Sequence, residues 1–328
     1  SVYLPDTLVG REEREALDLL AIDTETTGVG WHDEAFMISV ATQEWSHVYD
    51  KRLCEHGKDW DEAVETVSAM LIDCDKIIMH NAKFDIQKLC RLGIPLSVFV
   101  DKFEDTQALA HLIDEHQSTS LKYLARVVLG EETDEDEVLK VWRRQNKIKK
   151  EEGYEPIPHE ILAPYALKDA EFTLRLYEVL WNRMPKDLQA LYGIEKALTL
   201  SLLGIEARGM KIDRKYVTTK RKEYGDRIYK LKHRIGEFAG EEFNPQSPKQ
   251  IIEVFAQRGV RVTATDKATL SALDDELALM IVELREANKI KATYFDSLDV
   301  EAKDGILHPN FRQHGTRTGR MSSGSAEA

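Results

Sequence analysis

Leu19-Leu20-Ala21-Ile22-Asp23-Thr24-Glu25-Thr26-Thr27-Gly28 is a short apolar run that stops at an acid, with a second acid two residues on. A strand sends residues i and i+2 to the same face. Asp23 and Glu25 therefore point the same way, side by side, from one end of a buried strand. Carboxylates that close repel unless positive charge lies between them. A hard cation that takes oxygen ligands, Mg²⁺ or Mn²⁺, relieves that repulsion. Alone, the pattern also fits a strand end capped by solvated acids, with Gly28 making a turn. Two later stretches of the chain give the cation reading its weight.

Residues 35–41 read as a second strand and 45–49 as a third, joined by a turn at 42–44. Residues 61–73 carry helical periodicity at Ala63, Val64, Val67, Met70 and Leu71. Residues 76–80 form a short apolar strand ending at Asn81, and a helix over 82–92 stops at Gly93 with Pro95 beyond. Strands, helix, strand, helix is the order of a sheet covered by helices.

Asn81-Ala82-Lys83-Phe84-Asp85 is the second constellation. Asn81 suits a helix N-cap, and Asp85 lies one turn on, near the positive helix end. A strand running into a helix start puts Asp85 at the carboxyl edge of the sheet, where open α/β sheets bind ligands. Asp105 caps a further helix, and Ser120 starts the next. The acidic run 131–137 reads as a solvated loop or helix start, 143–150 is basic, and 153–158 is a loop. The third constellation is Tyr165-Ala166-Leu167-Lys168-Asp169, in a helix from about 164 to 184 with Pro164 in its first turn. Its i, i+4 spacing stacks Tyr165 and Asp169 on one face.

The whole chain, 328 residues with 42% hydrophobic and 31% charged residues, fits two packed domains. No apolar run is long enough to span a bilayer, and residues 1–14 lack a signal-peptide pattern. Cys54, Cys74 and Cys90 have no metal-knuckle spacing and read as reduced thiols, so a cytoplasmic location is expected. The net charge of −13 is uneven: residues 1–190 hold 22 basic and 38 acidic residues, and 191–328 hold 23 and 20. The acidic part suits cation binding, and the mildly basic part suits a phosphate backbone.

Taken in order, Asp23-x-Glu25, Asn81-x-x-x-Asp85 and Tyr165-x-x-x-Asp169 resemble the three exonuclease motifs of the DEDD superfamily. The tyrosine marks the DEDDy branch found in the proofreading domain of family A DNA polymerases. Phe103-Glu104-Asp105-Thr106 and Thr119-Ser120-Leu121-Lys122-Tyr123-Leu124-Ala125 also look like that domain. The resemblance covers about residues 15–186. It implies an α/β RNase H-like fold with a mixed sheet, and hydrolysis of DNA 3′ ends with two Mg²⁺ or Mn²⁺ ions. Asp23, Glu25 and Asp169 would hold the first ion, Asp23 would bridge to the second, and Asp85 would act near the second through water. Tyr165, helped by Glu25, would orient the attacking water. Val29 sits where the family places an apolar side chain against the terminal base, and Asn81 is taken with it as a DNA-binding residue.

The second half reads as helices over 190–208, 214–238 and on to about 294. It resembles the opening of the family A polymerase domain. Ile194-Glu195 and residues 209–213 match its beginning, Asn244-Pro245-x-Ser247-Pro248-x-Gln250 matches a thumb motif, and Arg285, Lys289, Thr293 and Tyr294 fit the helix leading out of the thumb. Gly315-Thr316-x-Thr318-Gly319-Arg320-Met321-Ser322-Ser323 looks like the Thr-Gly-Arg segment whose arginine touches the primer. Lys249, Arg285, Lys289, Thr316 and Arg320 are the expected DNA contacts. Further basic candidates on the helices are Lys220, Arg221, Lys222, Arg227, Lys230, Lys232, Arg234 and Lys291.

The expected organisation is an exonuclease domain over 1–186, then an all-α thumb-like region over 187–328 that stops before palm and fingers. Such a chain is expected to be the amino-terminal piece of a longer bacterial or phage polymerase and not to extend a primer alone. Its partners are a single-stranded DNA 3′ end and a primer–template duplex, with a separate palm-and-fingers chain as a further candidate. The competing readings are a stand-alone RNA-trimming exonuclease like RNase D, and a DNA-gripping half of a split polymerase.

Overall fold

The computed structural model describes residues 18–132, 134–148, 153–240, 242–302 and 304–324. The expectations for residues 1–14, for the end of the basic run at 149–150 and for the last four residues lie outside the described residues. By contacts the chain divides into two units, one of residues 1–207 together with 309–328 and the other of 208–308. Among the described residues no helix is long and apolar enough to cross a membrane.

The first unit is built on a five-stranded mixed sheet of β1 (Leu19–Thr26), β2 (Ala35–Ala41), β3 (Ser46–Asp50), β4 (Lys76–Met79) and β5 (Phe103–Asp105). The strand order is β3-β2-β1-β4-β5. β2 runs antiparallel to β1 and β3, whereas β4 is parallel to both β1 and β5. This is the expected RNase H-like arrangement. Its helices are α1 (Gly57–Asp73), α2 (Ala82–Arg91), α3 (Thr106–Ile113), α4 (Leu121–Leu124), α5 (Asp134–Asn146), α6 (His159–Arg183) and α7 (Lys186–Arg208).

The alternation along β1 sorts the two faces. Leu20 and Ile22 pack with Val67, Ile77 and Leu89 on the side of α1 and α2. Ala21 packs with Ala41, Ile78, Ala170 and Leu174 on the side of α6. The small side chains there let α6 lie close on the sheet.

α6 begins at His159, five residues before the expected start, so Pro164 lies inside the helix and not in its first turn. The early start is held by Asp50, whose Oδ2 lies 2.9 Å from the His159 ring, and by Arg52, which donates to the carbonyls of Glu155 and Ile157. Pro164 is exposed, so the carbonyl one turn back, which lacks its usual N–H partner, can turn to water. α1 likewise starts four residues before the expected position, and β5 was not foreseen. The acidic run 131–137 leads into α5.

The second unit holds α8 (Arg214–Ala239), α9 (Pro248–Gln257), α10 (Lys267–Ser271), α11 (Glu276–Ile290) and α12 (Ser297–Glu301). Asp213 caps α8 through Tyr216 N at 2.9 Å, and Ser247, Asp266 and Asp275 cap α9, α10 and α11. Leu231, Ile235, Ile251, Phe255, Leu277 and Ile281 form its apolar core. The region is helical as expected, with one addition: β6 (Met210–Lys211) pairs with β7 (Ile306–Leu307). The last described residues return to the first unit as a hairpin of β8 (Asn310–Arg312) and β9 (Ser322–Gly324).

Candidate active site

The β1–β4 ladder pairs only as far as Ala21 with Ile78. Beyond that point β1 continues without β4, and the backbone N–H of Thr24 is left to find another acceptor. It finds Asp85 on α2: the N–H and the hydroxyl of Thr24 both donate to Asp85 Oδ1, at 3.1 and 2.7 Å. Thr24 shares the face of Leu20 and Ile22, and so it looks toward α2. Asp23 and Glu25 share the face of Ala21 and look toward α6, which carries Asp169. The three motifs thus meet where the ladder ends.

Asp85, Glu25 and Asp169 are 1%, 5% and 6% exposed, and Asp23 is partly open to solvent. Burial, and then Asp85, Glu25 and Asp169, hold the Asp23 carboxyl well above the usual range. Burial and Asp169 do the same to Glu25. Burial pushes Asp85 up to about 7 although the Thr24 bonds oppose it, and it also raises Asp169 against the pull of Lys122. Such a set gathers more negative charge than it can hold unaided. Hard oxygen donors are what a divalent cation takes, and here no three of these four carboxylates bring ligand oxygens within 4.8 Å of one another.

Tyr165 is one helical turn before Asp169, with its ring stacked on Tyr154 at 6.1 Å between centroids. Burial, then Asp169, raises its phenol well above the ordinary value. The phenol therefore stays protonated at neutral pH and can donate a hydrogen bond, but it cannot serve as a base.

Lys122 was not foreseen in the site. Its ammonium bonds the Asp169 carboxylate and stands 4.0 Å from the centroid of the Tyr165 ring. It lowers the pKa of Asp23, Glu25 and Asp169 alike, and Arg52 adds a smaller pull on Glu25. No spacing rule in the sequence links residue 122 to 169.

Asn81 departs from its expected role. It stands at the N-cap position of α2, but its side chain makes no capping bond, and its backbone is left-handed at φ 67°. Asn tolerates that region better than most residues. The helix start is satisfied instead by Asp105, which accepts from the N–H groups of Asn81 and Ala82, each at 3.0 Å. Asp105 also caps α3 as expected, through Gln107 N at 2.9 Å. One buried carboxylate thus ties the starts of two helices together.

The remaining expected DNA contacts are spread over both units. Val29 is 47% exposed in the loop after β1. Asn81, Lys249, Lys289 and Arg320 are exposed. The Arg285 guanidinium donates to the Thr265 carbonyl, and Thr316 Oγ1 donates to the Arg320 carbonyl at 2.6 Å, closing the β8–β9 turn. Along α8, Arg221, Arg227 and Arg234 pair with Asp296, Glu283 and Glu276. Lys222, Lys230 and Lys232 are exposed.

Comparison with known proteins points the same way. Residues 11–185 match the family model described as 3′–5′ exonuclease, and residues 214–327 match that of DNA polymerase family A. DNA polymerase I of Pseudomonas aeruginosa is 28% identical over 94% of this chain, which covers 36% of that protein. DNA polymerase DpoZ of Vibrio phage phiVC8 is 30% identical over 93% of this chain, which covers 54% of that protein. The chain therefore spans between about a third and about half of these relatives. A solved structure, the POL domain of Pol1 from M. smegmatis in complex with DNA primer-template and dNTP, superposes with a TM-score of 0.67 at 20% identity. That match covers 94% of this chain and 52% of the other.

Proposed function

The chain belongs to the 3′–5′ exonuclease family of DNA polymerase I-like proteins, and from that premise we propose that it removes nucleotides one at a time from DNA 3′ ends as the proofreading part of a family A polymerase. The observation that carries the reading is the meeting of Asp23, Glu25, Asp85 and Asp169 in one buried, over-charged cluster beside Tyr165. Asp23, Glu25 and Asp169 would hold one Mg²⁺ or Mn²⁺ ion, and Asp85 would serve a second shared with Asp23. Two such ions supply positive charge at the scissile phosphate and at the leaving oxygen, and they ease deprotonation of water.

The chain's own residues supply the rest. Thr24 fixes Asp85 through two hydrogen bonds, so the α2 carboxylate holds its position as substrate enters. Tyr165 keeps its proton and orients the attacking water by hydrogen bonding. Lys122 balances part of the carboxylate charge and pins Asp169. Val29 offers an apolar face to the terminal base.

Residues 1–186 are read as the exonuclease domain and 187–328 as the opening of a polymerase domain that grips primer–template DNA through Lys249, Lys289 and Arg320. The match of residues 214–327 to the polymerase family favours this over an RNase D-like trimming enzyme. The setting that fits is a bacterial cytosol or a phage-infected host. Digestion of end-labelled single-stranded DNA, mismatched primer DNA and RNA, with Mg²⁺ and with EDTA, tests the reading. Stepwise shortening of DNA from the 3′ end in Mg²⁺ alone is expected. Shortening that persists in EDTA, or of RNA only, refutes it.

A further inference from the structure

The helix that carries Asp85 also carries a lysine with no part in the chemistry above. Lys88 is fully buried, at 0% exposure. Its ammonium donates to two backbone carbonyls, Gly30 at 2.7 Å and Asp33 at 2.9 Å. An ammonium is costly to bury, and methionine would fill the same space at far lower cost. Both carbonyls belong to the loop between β1 and β2.

That loop is built around its own carboxylate. Asp33 Oδ2 accepts from Gly30 N at 2.7 Å, and Thr27 N donates to the Glu34 carbonyl at 3.0 Å. A Cβ added at Gly28 would stand 2.5 Å from Asp33 Oδ2, so the inward carboxylate needs a glycine there. At its start the loop meets residues 153–154: Gly153 packs against the Thr27 carbonyl, and Tyr154, whose ring stacks on Tyr165, donates its N–H to the carbonyl of Thr26 at the end of β1 at 3.3 Å. The loop therefore borders the carboxylate cluster. It shows Val29, His32 and Glu34 to solvent, and of these Val29 is the apolar side chain, beside a site built for a phosphate. The part of a terminal nucleotide that can use an apolar surface is its base.

We propose that Lys88 is a positioning residue for the 3′-terminal nucleotide: by bonding the Gly30 and Asp33 carbonyls it locks the loop to α2 and holds Val29 against the terminal base. This rests on the exonuclease reading and adds to it a residue that acts on base placement without touching substrate.

The test compares the parent chain with Lys88→Met on two labelled single strands, one ending in an ordinary nucleotide and one in an abasic residue. On the ordinary strand KM is expected to rise about tenfold, the lower end of what one lost apolar contact costs, with kcat within about twofold. On the abasic strand the two proteins are expected to match, because there is no base to place. Hydrogen exchange should show lost protection at the Thr27, Gly30 and Asp33 amides, with the β1 amides unchanged. Lys88→Gln, which keeps an uncharged amide N–H donor group, covers the case in which methionine unfolds the chain, and a smaller base-dependent rise is expected. An equal loss on both strands, an unchanged KM, or loop amides that keep their protection overturns the proposal. If the parent chain shortens neither strand, the exonuclease reading falls. Lys88 is then judged by hydrogen exchange and by binding of the two strands, neither of which needs turnover.

Discussion

Asp85→Asn removes one charge from the carboxylate cluster while keeping the shape and the oxygen to which Thr24 donates. In the folded chain burial pushes this carboxyl up to about 7, against an ordinary value of 3.8. Between those values the unfolded chain has released its proton and the folded chain still holds it. The folded state then binds more protons, so stability falls as pH rises from about 4 to about 7 and stays low above that. The gap corresponds to about 4 kcal/mol, of which about 3 kcal/mol falls between pH 5 and pH 8. At about 2–4 °C per kcal/mol for a unit of this size, the melting temperature should move by roughly 6–12 °C. The assay is thermal unfolding of the parent and of Asp85→Asn in EDTA at both pH values. Asn has no proton to lose, so its advantage over the parent should widen by that amount from pH 5 to pH 8. Common acid effects elsewhere in the chain cancel in the difference. Mn²⁺ at pH 8 should recover more stability in the parent than in the variant. A difference that is the same at both pH values, or that narrows as pH rises, would falsify the electrostatic account of the cluster.

Three further outcomes are expected from the same geometry. Asp23→Ala/Glu25→Ala should keep its circular dichroism and lose exonuclease activity by many orders of magnitude, since uncatalysed phosphodiester cleavage is so slow; normal trimming in Mg²⁺ refutes the assignment. Lys122→Met should bind Mn²⁺ about five- to thirtyfold more tightly, read by electron paramagnetic resonance, because a unit charge a few ångströms from a divalent ion costs about 1–2 kcal/mol even in water; equal or weaker binding removes Lys122 from the cluster. Lys249→Ala and Arg320→Ala should each weaken duplex DNA binding uniformly across sequences and lower the salt slope by about one; unchanged affinity at moderate salt counts against the thumb reading.

What could be read in advance was whatever obeyed a local period. The two-residue alternation of β1 placed Asp23 and Glu25 together, and the four-residue spacing on α6 stacked Tyr165 beside Asp169. The cap at Asp105 is a one-residue signal, and it was found as expected. β5 escaped because three residues are too few to show a period. Pro164 misled because its preference for a first turn is a tendency, and here bonds from Asp50 and Arg52, more than a hundred residues back, decided where the helix starts. Thr24, Lys88 and Lys122 were illegible for the same reason. Each acts on a residue at least 47 positions away, and its type carries no mark of that partner.

The ten-residue helix α2 shows what such long-range bonds accomplish together. Lys83, near its start, bonds Glu206 of α7 and the Phe311 carbonyl of the β8–β9 hairpin, and reaches Asn310 Oδ1 at 3.1 Å. Asp85 takes the two bonds from Thr24, and Lys88 takes the loop before β2. Asp105 holds the first N–H of the helix. Four side chains therefore fix α2 to a strand, a loop, a neighbouring helix start and the hairpin that carries Thr316 and Arg320. On the proposed function Asp85 shares cations with residues on two other elements, and such a carboxylate tolerates little play in the helix beneath it. Lys83 is two residues from Asp85, so a shift of the hairpin pulls on the same turn of helix that places the carboxylate. Lys83→Met should therefore leave the Thr24–Asp85 bonds in place and loosen the hairpin first, seen as faster hydrogen exchange at Phe311 before any change at Thr24. The reverse order would place the anchor of α2 in the sheet alone.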